Sequence, residues 1–190
     1  MAFCPACLSS TLRKYGSDAW ARQKFRCVSC GKQFTEATGT PRSGMRFPQR
    51  VVDYGLNLHF RHRLVLRDIR ARLGERGIPV SHVAVHTWVK KFGPSFQALS
   101  MRHKEYARRW HLDMAHTRLN GRTAFLWSVY DANGVPLAVR AGQRKYSHAG
   151  EVLRDAQGLA GFKPEAVLSH VEGIQEELAK FTGPPVQVAA

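Results

Sequence analysis

The chain has 190 residues and a formal net charge of +15, from 29 Lys and Arg against 14 Asp and Glu. That length holds one large domain or two to three small modules, and 44% hydrophobic content excludes disorder throughout. The charge is segregated: residues 1–110 carry 21 Lys and Arg against 6 Asp and Glu, whereas residues 111–190 carry 8 against 8. Such a cationic half points to a polyanion, because clustered cations displace condensed counterions from a nucleic acid. A spanning helix needs about 20 apolar residues, and the longest apolar run, residues 124–130, is interrupted by Ser128. No membrane partner is therefore expected. Cysteines and Pro5 stand where a signal peptide would place its apolar stretch, so the expected location is cytoplasmic, at the nucleoid.

Cys4, Cys7, Cys27 and Cys30 are the only cysteines, and they form two CxxC pairs separated by 19 residues. Each CxxC turn aims two thiolates at one centre, and two such knuckles complete the tetrahedron that zinc prefers, with Zn–S distances of about 2.3 Å. With all four positions filled, the expected role is a structural zinc ribbon over residues 1–38. A module of about 40 residues cannot bury enough apolar surface without such a staple. Arg13, Lys14, Arg22, Lys24, Arg26 and Lys32 surround the knuckles, among Tyr15, Trp20, Phe25 and Phe34. The basic side chains are candidate phosphate contacts, foremost Arg22, Lys24, Arg26 and Lys32, and the aromatics are expected to pack the hairpin.

Residues 39–47 read as a linker, since TGTPRSGM is rich in Gly, Pro, Ser and Thr. Pro48 then opens a helical pattern through Val51, Tyr54, Gly55 and Leu58. Leu66, Ile69 and Leu73 recur at helical spacing, and Gly74 or Gly77 is expected to stop that short helix. Ile78, Pro79 and Val80 make a turn, and Ser81 is a candidate N-cap. Val85, Trp88, Val89 and Phe92 line one face of the following helix, which Gly93 and Pro94 are expected to end. Residues 48–106 are thus expected to be an all-α helix-turn-helix domain whose last helix enters the major groove. Its outward positions are His82, Val83, His86, Thr87, Lys90 and Lys91, and together with Ser81 the polar ones are the candidate contacts to double-stranded DNA. His82 and His86 also lie at a metal-binding spacing, but no third ligand stands beside them.

Beyond Arg109 the pattern changes to strands. Residues 110–119 and 122–130 flank Asn120-Gly121, a strong hairpin signal, and DANG (131–134) turns into a third strand over 135–141. A helix is expected over 147–159, with Ala149, Val152, Leu153 and Ala156 buried. A fourth strand over 166–169 and a last helix over 174–181 follow. Residues 107–190 are thereby expected to form the first part of an α/β RNase H-like core.

The segments LRDIRARLGERGIPVSHVAVHTWVKKFG, WHLDMAHTRLNGRTAFLWSVYDANGVPLAV and KPEAVLSHVEG, behind the cysteine module, resemble the short DDE-type transposases of bacterial and archaeal insertion sequences, particularly the insertion-sequence-six group. The resemblance implies a zinc ribbon, a helix-turn-helix and an RNase H-like core, in which two Asp and one Glu hold two divalent ions for cutting and joining DNA. Several carboxylates are required there because two metals about 4 Å apart must clamp the attacking and leaving oxygens. Asp113, in WHLD, corresponds to the first acid. At the second acid the family has Asp-Gly, and this chain has Ser169-His170; Glu172 stands in only if the strand end shifts by two residues. The third acid is expected beyond the end of this chain.

The expectation is a multi-domain, C-terminally truncated and degenerate transposase relative that binds DNA. It would act as a regulator or nucleoprotein component, as a homodimer or with other subunits, and on no small-molecule substrate. Two alternatives are kept: a DDE recombinase, active by itself or complemented by a partner and using Mg2+ or Mn2+, and a zinc-ribbon adaptor in a protein complex.

Overall fold

The computed structural model describes residues 3–18, 22–103, 105–119 and 121–181, with the side chains of 99–101 also outside the description. Trp20 and Asn120, singled out above, therefore lie outside the described residues. The chain divides into two compact units: Met1–Gln49 with Thr117–Thr123, and Arg50–His116 with Ala124–Ala190.

In the first unit, β1 (Leu12–Ser17), β2 (Gln23–Cys27) and β3 (Gln33–Thr35) form a three-stranded antiparallel sheet in that order. Its apolar interior is small: Cys4, Cys27 and Phe34 are buried, with Leu12 and Phe25 against them. Phe25 and Phe34 are cross-strand partners with ring centroids 5.9 Å apart, so these aromatics pack the hairpin as their pattern suggests. Tyr15 does not, being 44% exposed.

The second unit is a mixed α/β assembly. Helices α1 (Gln49–Phe60), α2 (Leu66–Glu75) and α3 (His82–Arg102) precede β4 (Arg109–Leu119), β5 (Arg122–Asp131) and β6 (Pro136–Gly142). Helix α4 (Ser147–Ala160), β7 (Ala166–Ser169) and α5 (Gln175–Ala179) complete it. The strands lie in the order β6-β5-β4-β7, with β6 antiparallel to β5 and β7 parallel to β4. Alternation along β4 and β5 sends Trp110, Leu112, Trp127 and Val129 to one face, where they meet Ala149, Val152, Leu153 and Ala156 of α4 and Leu178 of α5. The four α4 residues expected to be buried are all inaccessible. Asp131 fixes the turn between β5 and β6, since its carboxylate accepts the backbone N–H groups of Ala107, Asn133 and Val135.

Helix α1 is buried on nearly every side, with Val51, Val52, Tyr54, Leu56 and Leu58 at 0–1% exposure. One side meets the sheet, where the Asn57 amide donates to the Pro136 carbonyl at 2.7 Å. Another meets α2 and α3: a Cβ on Gly55 would lie 3.2 Å from the Trp88 ring and 3.7 Å from Ile69. Burying Ile69, Leu73, Val85 and Trp88 here stabilises the helices by roughly 1.5–3 kcal/mol for each large side chain. Between Gly74 and Gly77 it is Gly77 that stops α2. Gly77 has φ +74°, and any Cβ there would lie 2.7 Å from the Ala141 carbonyl oxygen on β6.

The structure corrects the expected end of α3. The helix does not stop at Gly93-Pro94 but runs through Pro94 to Arg102. A proline inside a helix forfeits a hydrogen bond and crowds the preceding turn, at about 3 kcal/mol. The cost is offset because Phe92 and Phe96 are both buried on the same face, with Phe96 stacked on Phe60 at 6.2 Å.

Candidate functional site

The cysteine knuckles are built by short turns that bring the chain back on itself. Leu8 N–H donates to the Cys4 carbonyl and Gly31 N–H to that of Cys27, closing each CxxC loop. The four Sγ atoms lie within 4.8 Å of one another, with Cys4–Cys30 at 3.6 Å and Cys7–Cys27 at 3.5 Å. The Cys30 backbone N–H brings the Cys27 thiol down to about 6, against the opposing effect of desolvation. At Cys7 the Ser9 backbone hydrogen bond lowers the pKa, but the neighbouring Cys27 and Cys30 sulfurs and desolvation prevail and push it up to about 12. Four sulfurs so close share protons among themselves, and a metal ion that replaces those protons relieves the crowding. This donor set could hold a soft divalent ion such as zinc.

The basic residues expected to contact DNA from this unit differ in their freedom. Arg22 is tied to Asp18, with Nε 2.6 Å from Oδ2. Lys24 and Arg26 flank the exposed Tyr15 ring, their cationic centres 5.6 and 5.9 Å from its centroid, and Lys32 is exposed.

On α3, His82, Val83, His86, Thr87, Lys90 and Lys91 are all exposed, whereas Val85, Trp88 and Phe92 are buried and Val89 is half-buried. Two hydroxyls already have work inside the helix. Ser81 Oγ caps the N-terminus by accepting the Ala84 N–H at 3.1 Å, and Thr87 Oγ1 donates to the Val83 carbonyl at 2.8 Å. Arg67 and Arg70 on α2, which sequence reasoning did not single out, are exposed and border a shallow recess with Ala71, Gly74, Pro79 and Val80. Their cue was the 3-residue spacing of two arginines on the side of α2 away from Ile69 and Leu73.

Asp113 lies in β4 on the sheet face opposite Trp110 and Leu112. Parallel pairing of β4 with β7 ends at Leu112 and Ser169, so Asp113 and His170 each come one residue beyond that pair. Glu172 lies farther along, beyond the strand, and its carbonyl accepts the Tyr146 hydroxyl at 2.8 Å. The side chain that does reach Asp113 is Arg50, from the first turn of α1. Its Nη2 is ion-paired with the Asp113 carboxylate, its Nη1 donates to Ser128 Oγ at 2.8 Å, and its guanidinium carbon lies 5.6 Å from the Tyr130 ring centroid. Tyr130 is raised well above the ordinary tyrosine range, chiefly by burial, with Arg50 opposing and Asp53 and Asp113 reinforcing. Among the described residues, the cysteines are the only group of three or more His, Cys, Asp or Glu side chains that could share a metal ion. Asp113 belongs to no such group, and its carboxylate faces the Arg50 guanidinium.

Among the described residues, no helix is long and apolar enough to cross a membrane. No protein-family model matches the chain. A Staphylococcus aureus transposase for the insertion sequence-like element IS431mec is 28% identical over 105 residues, which is 55% of this chain and 47% of the relative. The Staphylococcus aureus transposase for insertion sequence element IS257 in transposon Tn4003 is 27% identical over 105 residues, with the same shares. The chain spans about half the length of the curated relatives it matches, and over that stretch it is similar to insertion-sequence transposases.

Proposed function

We propose that the chain is a double-stranded-DNA-binding protein of transposase ancestry, acting as a regulator or nucleoprotein component at the bacterial or archaeal nucleoid. In this reading β1–β3 and the knuckles are a zinc ribbon, α2 and α3 are a helix-turn-helix, and β4–β7 with α4 belong to an RNase H-like core. Asp113 holds the place of the first acid of that core, and the site around it is not assembled for two-metal chemistry. A homodimer or a complex with other subunits is the expected working form, because recombinases of this kind act on paired DNA ends.

The observation that carries the reading is the outward face of α3. His82, His86, Thr87, Lys90 and Lys91 are exposed there with Val83, no acid lies among them, and the opposite face is held by Val85, Trp88 and Phe92. A helix anchored in this way offers cations for phosphates, imidazoles for base edges and a valine for a thymine methyl. The net charge of +15 supports the same partner.

Binding of a duplex oligonucleotide, measured from low to moderate salt, tests this. The double substitution Lys90→Gln with Lys91→Gln should weaken binding and reduce the salt slope by roughly one unit per lost phosphate contact. An unchanged slope would move the contact surface away from α3. The second reading is a recombinase that uses Mg2+ or Mn2+, alone or complemented by a partner; it is favoured by the presence of Asp113 in WHLD and by the transposases to which the chain is similar. Nicking of supercoiled plasmid that disappears in Asp113→Asn would establish it in place of the first. An adaptor role for the cysteine module in a protein complex would instead leave DNA binding intact when the knuckles are substituted.

A further inference from the structure

We propose that the Arg50 guanidinium is the resident counter-ion of Asp113, standing where a divalent cation would otherwise sit against that carboxylate. The guanidinium is satisfied by three different groups: an ion pair to Asp113, a hydrogen bond to Ser128 Oγ, and the face of Tyr130. Ser128 is fully buried, and its hydroxyl is also within 3.5 Å of the Asp113 carbonyl, so one residue braces both partners. Such a socket suits a planar cation that never deprotonates and that is attracted to an aromatic face. It does not suit Mg2+ or Mn2+, which demand near-octahedral oxygen ligands and give up water reluctantly.

The chain on the other side of Asp113 agrees. His170, rather than a carboxylate, follows the last residue of β7 paired with β4, so the strand position beside Asp113 carries no carboxylate. Removing Arg50 leaves the Asp113 carboxylate without the guanidinium paired with it. A divalent ion should then be drawn in, because a guanidinium at contact distance repels a doubly charged ion by enough to weaken its binding about tenfold or more even in water-like surroundings.

The inference concerns the acid named in the proposed function but stands on the ion pair alone, so a chain that ignored DNA would leave it intact. The test titrates the whole 190-residue chain, zinc-loaded, with Mn2+ alone and reads bound ion by water-proton relaxation. Wild type should show no Mn2+ binding that depends on Asp113. R50Q should gain about tenfold or more in Mn2+ affinity, and adding D113N should abolish the gain. R50K, which keeps a cation in the socket, should behave as wild type. A folded R50Q without the gain would overturn the proposal, as would wild type binding Mn2+ in a manner that D113N removes. The second comparison needs only wild type and D113N, so it decides the matter even if R50Q fails to fold.

Discussion

Gly93 on α3 lies against the tip of the Phe60 ring on α1: a Cβ on the glycine would come within 2.8 Å of Phe60 Cζ. No side chain fits there unless the ring moves, and Phe60 is further constrained by its stack on Phe96 and its edge contact with His59 at 4.9 Å. Gly93→Ala should therefore destabilise the second unit by about 1–3 kcal/mol, the usual cost of overpacking. Urea melts of Gly93→Ala, Phe60→Leu and the double variant test the mechanism. The double variant should lose less than the sum of the singles, and strict additivity would mean that the contact is not the cause.

Asp155 on α4 gathers two arginines. Its Oδ1 accepts Arg76 Nη2 at 3.1 Å and its Oδ2 accepts Arg140 Nη2 at 2.8 Å. The Arg76 side chain is only 10% exposed and that of Asp155 17%, so removing the carboxylate strands positive charge in poorly solvated surroundings. Asp155→Ala should destabilise by about 3 kcal/mol, at the lower end of the range for breaking a buried pair. Arg140→Ala should cost less than Asp155→Ala, because Arg76 keeps its partner. Denaturant midpoints in the reverse order would discredit the clamp.

Stability should fall on mild acidification because of His62. Its Nε2 lies 2.7 Å from the Tyr106 hydroxyl, and desolvation, followed by the charges of Arg72 and Arg61, depresses its pKa below the ordinary value of 6.5. The unfolded chain then binds a proton more readily than the folded one. The stability that neutral His62 supplies is complete above pH 6.5 and is lost as pH falls below it toward the depressed folded value. His62→Gln should flatten this slope in melting temperature, and a slope identical to that of wild type would assign it to other groups.

Metal removal should act on the first unit alone. Two of the three buried apolar residues in its interior are cysteines, Cys4 and Cys27, so little else holds the hairpins together. In small zinc modules the apparent metal-binding free energy, about 10–16 kcal/mol, is folding free energy. Chelation should release the amides of Lys24, Phe25 and Arg26 in β2, the central strand of this sheet, to rapid hydrogen exchange, while those of Val129 and Ser128 in β5 stay protected. Retention of the β2–β3 protection in material shown to be metal-free would argue that the sheet stands without an ion.

What the amino-acid order determined by itself was local. Cysteine spacing anticipated the sulfur cluster, because a CxxC turn closes within a few residues. Periodicity anticipated α2, the first turns of α3, the buried face of α4 and the span of β7, because each is written in neighbours along one element. Tertiary structure decided whatever joins distant positions. Gly93-Pro94 carries a helix-stop signal, yet α3 continues, since the glycine makes room for Phe60 and the phenylalanines on either side are buried. Arg50 reads in sequence as one more surface cation in a basic stretch. Only the docking of α1 on the sheet places it against Asp113, 63 residues away, and only the parallel pairing of β7 with β4 puts His170 at the neighbouring strand end. Spacing encodes which face a side chain takes; the partner it meets there depends on how separate elements close around a shared core, and one segment contains no record of that.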